Sequence, residues 1–104
     1  MPKFNDVAQA LDSFDPQKLA GLDATFLFEL SGEKGGQWTV SVADNQIDIT
    51  ERATADPTTT FKMAADDFLA MANGELNPVA AFMQGKIKIE GDMSIAMRLQ
   101  TLFS

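Results

Sequence analysis

Apolar and polar residues alternate along this chain with two different periods, and the change of period divides it into elements. Phe4, Val7, Ala8, Leu11 and Phe14 recur at i, i+3, i+4, i+7 and i+10, the spacing of an amphipathic helix. Asp15-Pro16 supplies a cap and first turn for a short second helix, which Gly21 stops. The period then falls to two. In ATFLFEL the residues Phe26, Phe28 and Leu30 share one face; in QWTVSV so do Trp38, Val40 and Val42, and in IDI so do Ile47 and Ile49. GEKGG and Ala43-Asp44-Asn45 carry turn residues, which predicts an antiparallel meander.

After the loop ERATADP, TTTFKM sets Phe61 and Met63 against Thr60 and Lys62. Further on, KIKIE sets Ile87 and Ile89 against Lys86, Lys88 and Glu90. Between these strands, Asp66-Asp67 opens a helix carrying Phe68, Leu69, Met71 and Ala72, ended by Asn73-Gly74. Asn77-Pro78 opens another with Val79, Phe82 and Met83, ended by Gly85; a last helix starts after Gly91 with Asp92 as its cap. One-sided strands require a covered face and a solvated one. The predicted class is α+β: one domain over residues 1–104, with a five-stranded mixed sheet covered on one face by about five helices.

The last helix has an unusually wide apolar surface. At about 100° per residue, Met93, Ile95, Ala96, Met97, Leu99, Leu102 and Phe103 fill an arc of roughly 220°, where a helix resting on a core needs a stripe of about 100°. Gln100 falls inside that arc. Burial on several sides would account for the width. The amide is harder to absorb, because without partners it costs roughly 1 to 3 kcal/mol. It faces water, backbone or a ligand head group.

Composition removes whole classes of function. With 8 Lys and Arg against 15 Asp and Glu, the net charge is −7, and the long-range field repels nucleic acid and anionic membranes. The absence of Cys and His removes thiolate and imidazole chemistry, and no base is at hand to activate a Ser or Thr. Asp66-Asp67 is placed to complement a helix dipole rather than to catalyse, and Lys86 and Lys88 guard an edge strand against further pairing. No segment is long and apolar enough to span a bilayer and no signal peptide is visible, so a cytoplasmic location is expected. Neither metal nor cofactor is expected, and no enzymatic activity.

One stretch carries a more specific message. NGELNPVAAFMQGKIKIEGDMSIAMRLQ, residues 73–100, resembles the signature of the sterol carrier protein type 2 domain. The resemblance falls on Gly74, Asn77-Pro78, Ala81-Phe82-Met83, Gly85-Lys86, the short strand around Ile87 and Ile89, Gly91-Asp92-Met93 and Met97-Arg98-Leu99-Gln100, in that order. It extends more loosely to Trp38 and to Thr-Thr-Phe-Lys-Met followed by Asp66-Asp67-Phe68. What it implies is an apolar tunnel between sheet and helices that takes a fatty acid, acyl-CoA, sterol-like or isoprenoid lipid, with no catalysis. It associates Trp38 and Gln100 with the tunnel. Glu90 departs from a position often basic in the family. The C-terminal Leu-Phe-Ser departs from the peroxisomal tail, pointing to a bacterial or archaeal-type member.

On this reading the lining comprises Trp38, Val40, Phe61, Met63, Phe68, Met71 and Phe82, together with Met83, Ile87, Ile89, Met93, Met97, Gln100 and Phe103. Each apolar member taken singly is equally suited to a core. Six methionines in 104 residues tilt the balance, since flexible thioethers adapt to irregular ligands as well as to core gaps. Gly91 is expected to let the last helix shift as a wall. The partners expected are a lipid, at most a transient membrane contact, and a protein partner or homodimer. The alternative function is an accessory subunit of a lipid or isoprenoid-quinone biosynthetic assembly, contacted through Leu102 and Phe103.

Overall fold

The computed structural model describes residues 4–100. The elements run α1 (Val7–Asp12), a 3₁₀ turn (Pro16–Leu19), β1 (Ala24–Ser31), β2 (Gly36–Ala43), β3 (Gln46–Thr50) and β4 (Thr59–Ala64). They continue with α2 (Ala65–Ala72), α3 (Pro78–Met83), β5 (Lys88–Gly91) and α4 (Met93–Leu99). The sheet order is β3-β2-β1-β4-β5, antiparallel throughout except for the parallel β1–β4 pair, so the mixed α+β class is correct.

The helix count differs slightly, at four α-helices among the described residues. Asp15 caps the second expected helix, its Oδ1 accepting from the Gln17 N–H at 2.9 Å. The chain then tightens into a 3₁₀ turn, with the Ala20 N–H donating to the Gln17 carbonyl at 3.3 Å. The first helix also starts later than its pattern suggests. Asp6 Oδ1 accepts from the Ala8 N–H at 2.7 Å and fixes the start at Val7. The buried stripe is therefore Val7, Ala10, Leu11 and Phe14; Ala8 faces outward.

Alternation in the strands sets the two faces. Phe26, Phe28 and Leu30 of β1, Trp38, Val40 and Val42 of β2, and Phe61 and Met63 of β4 are buried on the helical side. Asp44 and Asn45, both in the left-handed region, make the two-residue turn between β2 and β3 that suits the strands' twist. The far face is not wholly solvated. The connection from β3 to β4 has to cross β2 and β1, and Thr39 Oγ1, on that face, donates to the Arg52 carbonyl at 2.6 Å. Beneath the crossing, Leu27 and Thr60 are buried although the alternation turns them outward.

Candidate functional site

The site lies where the short helices α3 and α4 cover β4 and β5. Asn77 Oδ1 accepts from the N–H groups of Val79 (2.8 Å) and Ala80 (3.2 Å), with Pro78 as the first helical residue. Asp92 Oδ1 does the same for Ser94 (2.9 Å) and Ile95 (3.2 Å) at the start of α4. Both helices thus begin where the sequence placed their caps. Gly91 serves a different purpose from the expected hinge. It pairs with Thr59 in the sheet at φ +101°, and a Cβ there would run into the Thr58 carbonyl. The Asp92 N–H donates to that carbonyl at 3.1 Å, and Thr59 Oγ1 donates to the Asp92 carbonyl at 3.0 Å. This glycine anchors the root of α4 against β4.

Between the two helices and the sheet is a cavity of about 170 Å³. Its floor is Phe28, Phe61, Met63 and Ile89, and its sides are Met71, Ile87, Ala96 and Leu99. Pro78, Val79 and Phe82 of α3 and Met93 and Met97 of α4 complete it, with Gln100 at the end of α4. Gln100, half-buried, is the one polar side chain in this lining. No titratable group faces the space. A cavity of about 150 Å³ with such walls stays dry and accepts a benzene-sized molecule. Sites for drug-sized ligands run to roughly 300 Å³ and above. A long chain therefore has to enlarge the space or leave through its mouth.

That mouth is visible in the exposures. Val79 (42%), Phe82 (45%), Met93 (44%) and Met97 (57%) line the cavity and also meet solvent. The wide arc of α4 divides accordingly. Ala96 and Leu99 are buried, while Met93 and Met97 form one lip, so burial on several sides is not its explanation.

Nine of the residues singled out from the sequence meet at this space: Phe61, Met63, Met71, Phe82, Ile87, Ile89, Met93, Met97 and Gln100. Trp38, Val40 and Phe68 do not reach it. Trp38 and Val40 lie on β2, with β1 between them and the cavity, and Phe68 packs edge-on against Phe28 and Phe14 in the solid core. Met83 turns outward and is 80% exposed. Phe103 lies outside the described residues. Phe28, Pro78, Val79, Ala96 and Leu99 line the space without having been singled out. Leu99 and Ala96 belong to the apolar arc of α4, the signal that could have found them.

On the other face, Lys62 sits between two carboxylates. Its Nζ is 3.3 Å from Glu90 Oε1 and 3.6 Å from Glu29 Oε2. The hydrogen bond to Glu90, then the negative charges of Glu90 and Glu29, hold the Lys62 ammonium above the ordinary lysine pKa. Glu90 thus has a cationic partner of its own. Among the described residues no group of three or more acidic side chains is placed to hold a metal ion, and no helix is long and apolar enough to cross a membrane.

Residues 4–104 match the family model of the SCP-2 sterol transfer family. Human hydroxysteroid dehydrogenase-like protein 2 is 36% identical over 94 residues, which is 89% of this chain and 22% of that protein. Human sterol carrier protein 2 is 33% identical over 102 residues, 95% of this chain and 19% of that protein. The chain therefore spans about a fifth of the length of these relatives. Among solved structures, palmitated SCP2L2 from Aedes aegypti superposes with a TM-score of 0.75 at 23% identity, covering 94% of both chains.

Proposed function

This chain belongs to the SCP-2 sterol transfer family, and from that premise we propose that it is a non-enzymatic carrier that shields one apolar lipid chain between its sheet and α3 and α4. The observation that carries the reading is the cavity: apolar walls, one amide at an end, and a mouth framed by flexible side chains. The Aedes domain of the same fold is described as palmitated, which supports a fatty acyl chain as the first ligand to try. Non-enzymatic binding is favoured because the lining offers neither a nucleophile nor a titratable group to hold or move a proton.

The magnitudes suit loose selectivity. About eight methylenes taken from water contribute roughly 6 kcal/mol gross, against several kcal/mol for the lost freedom of the bound lipid. Tail burial alone then gives weak binding, and longer chains bind more tightly as they displace Met63, Met71, Met93 and Met97. Gln100 would meet the polar end of the ligand or a water. The accessory-subunit alternative depends on Leu102 and Phe103, which lie outside the described residues.

Native mass spectrometry and solvent extraction of the purified chain test the proposal, with fatty acids, acyl-CoA and isoprenoid quinones offered in turn. Retention of one lipid per chain, tighter with chain length, is the expected result. No retained lipid of any class would sink it. Trp38 fluorescence gives a weaker readout, since Trp38 touches the cavity only through its cross-strand neighbour Phe28.

A further inference from the structure

The methionines of this chain are graded from the inside of the cavity to its edge. Of the six, Met1 lies outside the described residues, and four of the other five line the cavity. Met63 and Met71 are buried; Met93 and Met97, on the lip of α4, meet solvent at 44% and 57% exposure. These two stand four residues apart on one helix face, while Ala96 and Leu99 of the same helix are buried. Met83 is the most exposed of the five but lies outside the cavity wall. The chain has no Cys, so no thiol of its own competes with these thioethers for an oxidant, and its one Trp, Trp38, is buried.

We propose that Met93 and Met97 are an oxidation site through which a hydroperoxide closes the cavity to apolar ligands. Each sulfur attacks one oxygen of the O–O bond and becomes a sulfoxide, oxidised by two electrons. The O–O bond breaks, the proton of the attacked oxygen passes to the leaving one, and the peroxide departs as water or, from an organic peroxide, as an alcohol. A flexible apolar side chain is thereby turned into a polar acceptor. Where Met93 and Met97 cover a bound chain, that acceptor gives up its water with little to replace it, since Gln100 is the one polar side chain in the lining. If both side chains instead swing into solvent, the lip is stripped from the mouth. Either course loses the apolar contact. Burial shields Met63 and Met71, so the lip reacts before the interior, and the packed half of the molecule, built on Phe68 and Leu69 of α2, is untouched.

The inference deepens the carrier reading and rests on it, so retention is measured before and after oxidation. The full chain is treated with hydrogen peroxide, its sulfoxides are located by peptide mass spectrometry, and palmitate retention is followed by native mass spectrometry. Met83, Met97 and Met93 should be converted well before Met63 and Met71. Retention should fall roughly tenfold as Met93 and Met97 react, the effect of desolvating one poorly paired polar group. Methionine sulfoxide reductases A and B with dithiothreitol should restore it, the sulfoxide oxygen leaving as water while two thiols close to a disulfide. Met93→Leu combined with Met97→Leu conserves apolar character and approximate volume. Measured against its own untreated form, this variant should be insensitive to peroxide, whereas Met83→Leu should remain as sensitive as the parent.

Several results would overturn the oxidation site: Met63 and Met71 reacting as fast as the lip, a loss of retention that the double variant still shows or Met83→Leu removes, a loss that outlasts repair of both sulfurs, or unfolding by circular dichroism alongside the loss. Palmitate held equally well with both sulfoxides in place defeats this inference alone. An untreated chain that holds no palmitate defeats the carrier reading, and this inference with it.

Discussion

The helical side of the sheet has two halves that solve the same covering problem differently. Over β1 and β4, α2 plants four buried residues, Ala65, Phe68, Leu69 and Met71, and α1 adds Val7, Ala10 and Leu11. Phe68 reaches both Phe14 and Phe28, with ring centroids 6.4 and 5.5 Å apart. Toward β5, α3 buries only Ala81, and α4 only Ala96 and Leu99. The large side chains of these two helices stay at the rim. Where the roof buries only two alanines and one leucine, a space remains beneath it. Each rim residue forgoes part of the roughly 1.5 to 3 kcal/mol that full burial would contribute, so one half secures the fold and the other trades stability for an opening.

The largest expected effect tests that division directly. Phe68→Ala empties a fully buried site in the packed half and should cost about 3 to 5 kcal/mol of unfolding free energy in urea titration. Phe82→Ala, at a 45% exposed rim position, should cost under about 1 kcal/mol while weakening lipid retention. Comparable stability losses at the two sites would mean the halves are packed alike. The cavity would then be an accident of the surface.

Adding volume sharpens the contrast. Ala10 and Ala96 are both buried alanines on helices, but only Ala96 borders the cavity. Ala10→Leu should destabilise by about 1 to 3 kcal/mol through overpacking. Ala96→Leu has about 170 Å³ to grow into and should be neutral or stabilising, at the expense of fatty-acid capture measured by native mass spectrometry. Equal penalties for both would show that the space closes in solution.

The sequence carried most of the fold because its signals are local. Alternation gave the faces of Phe26, Phe28, Trp38 and Val40, and Asn77 and Asp92 marked their helix starts. What period-two alternation does not encode is the lateral position of a strand. The parallel β1–β4 pair depends on a crossover, and it puts Phe28 of β1 rather than Trp38 of β2 beside the cavity. The same crossover buries Leu27 on the nominally open face. On α3, one residue turns the side chain by about 100°, which separates Phe82 on the wall from Met83 in solvent. Apolar character alone could not distinguish them.

Gln100→Leu asks whether the open half is specialised at its one polar point. With the half-buried amide replaced by an apolar side chain of similar length, stability should change by only about 0.5 kcal/mol. If the amide bonds a lipid head group, polar-headed lipids should lose roughly 1 kcal/mol of affinity, about fivefold, while a bare hydrocarbon probe loses nothing. A uniform change across both ligand classes, or a fall in stability alone, would make Gln100 a structural amide.

The smallest effect concerns the face that belongs to neither half. Lys62 bridges β1, β4 and β5 through Glu29 and Glu90, and β5 is the strand that floors the cavity with Ile89. The carboxylates favour the charged ammonium, so its pKa is raised in the folded chain above the ordinary 10.5. While both carboxylates are charged, the fold gains from this pair below pH 10.5 and loses the gain as pH rises through the higher folded value. From neutral pH upward, Lys62→Gln should therefore keep a flat stability deficit against the parent and narrow it only in strongly alkaline solution. Partial solvent exposure of all three side chains and salt screening keep the effect small. If fatty-acid retention fell with it, the open face would be shown to hold β5 in place beneath the cavity.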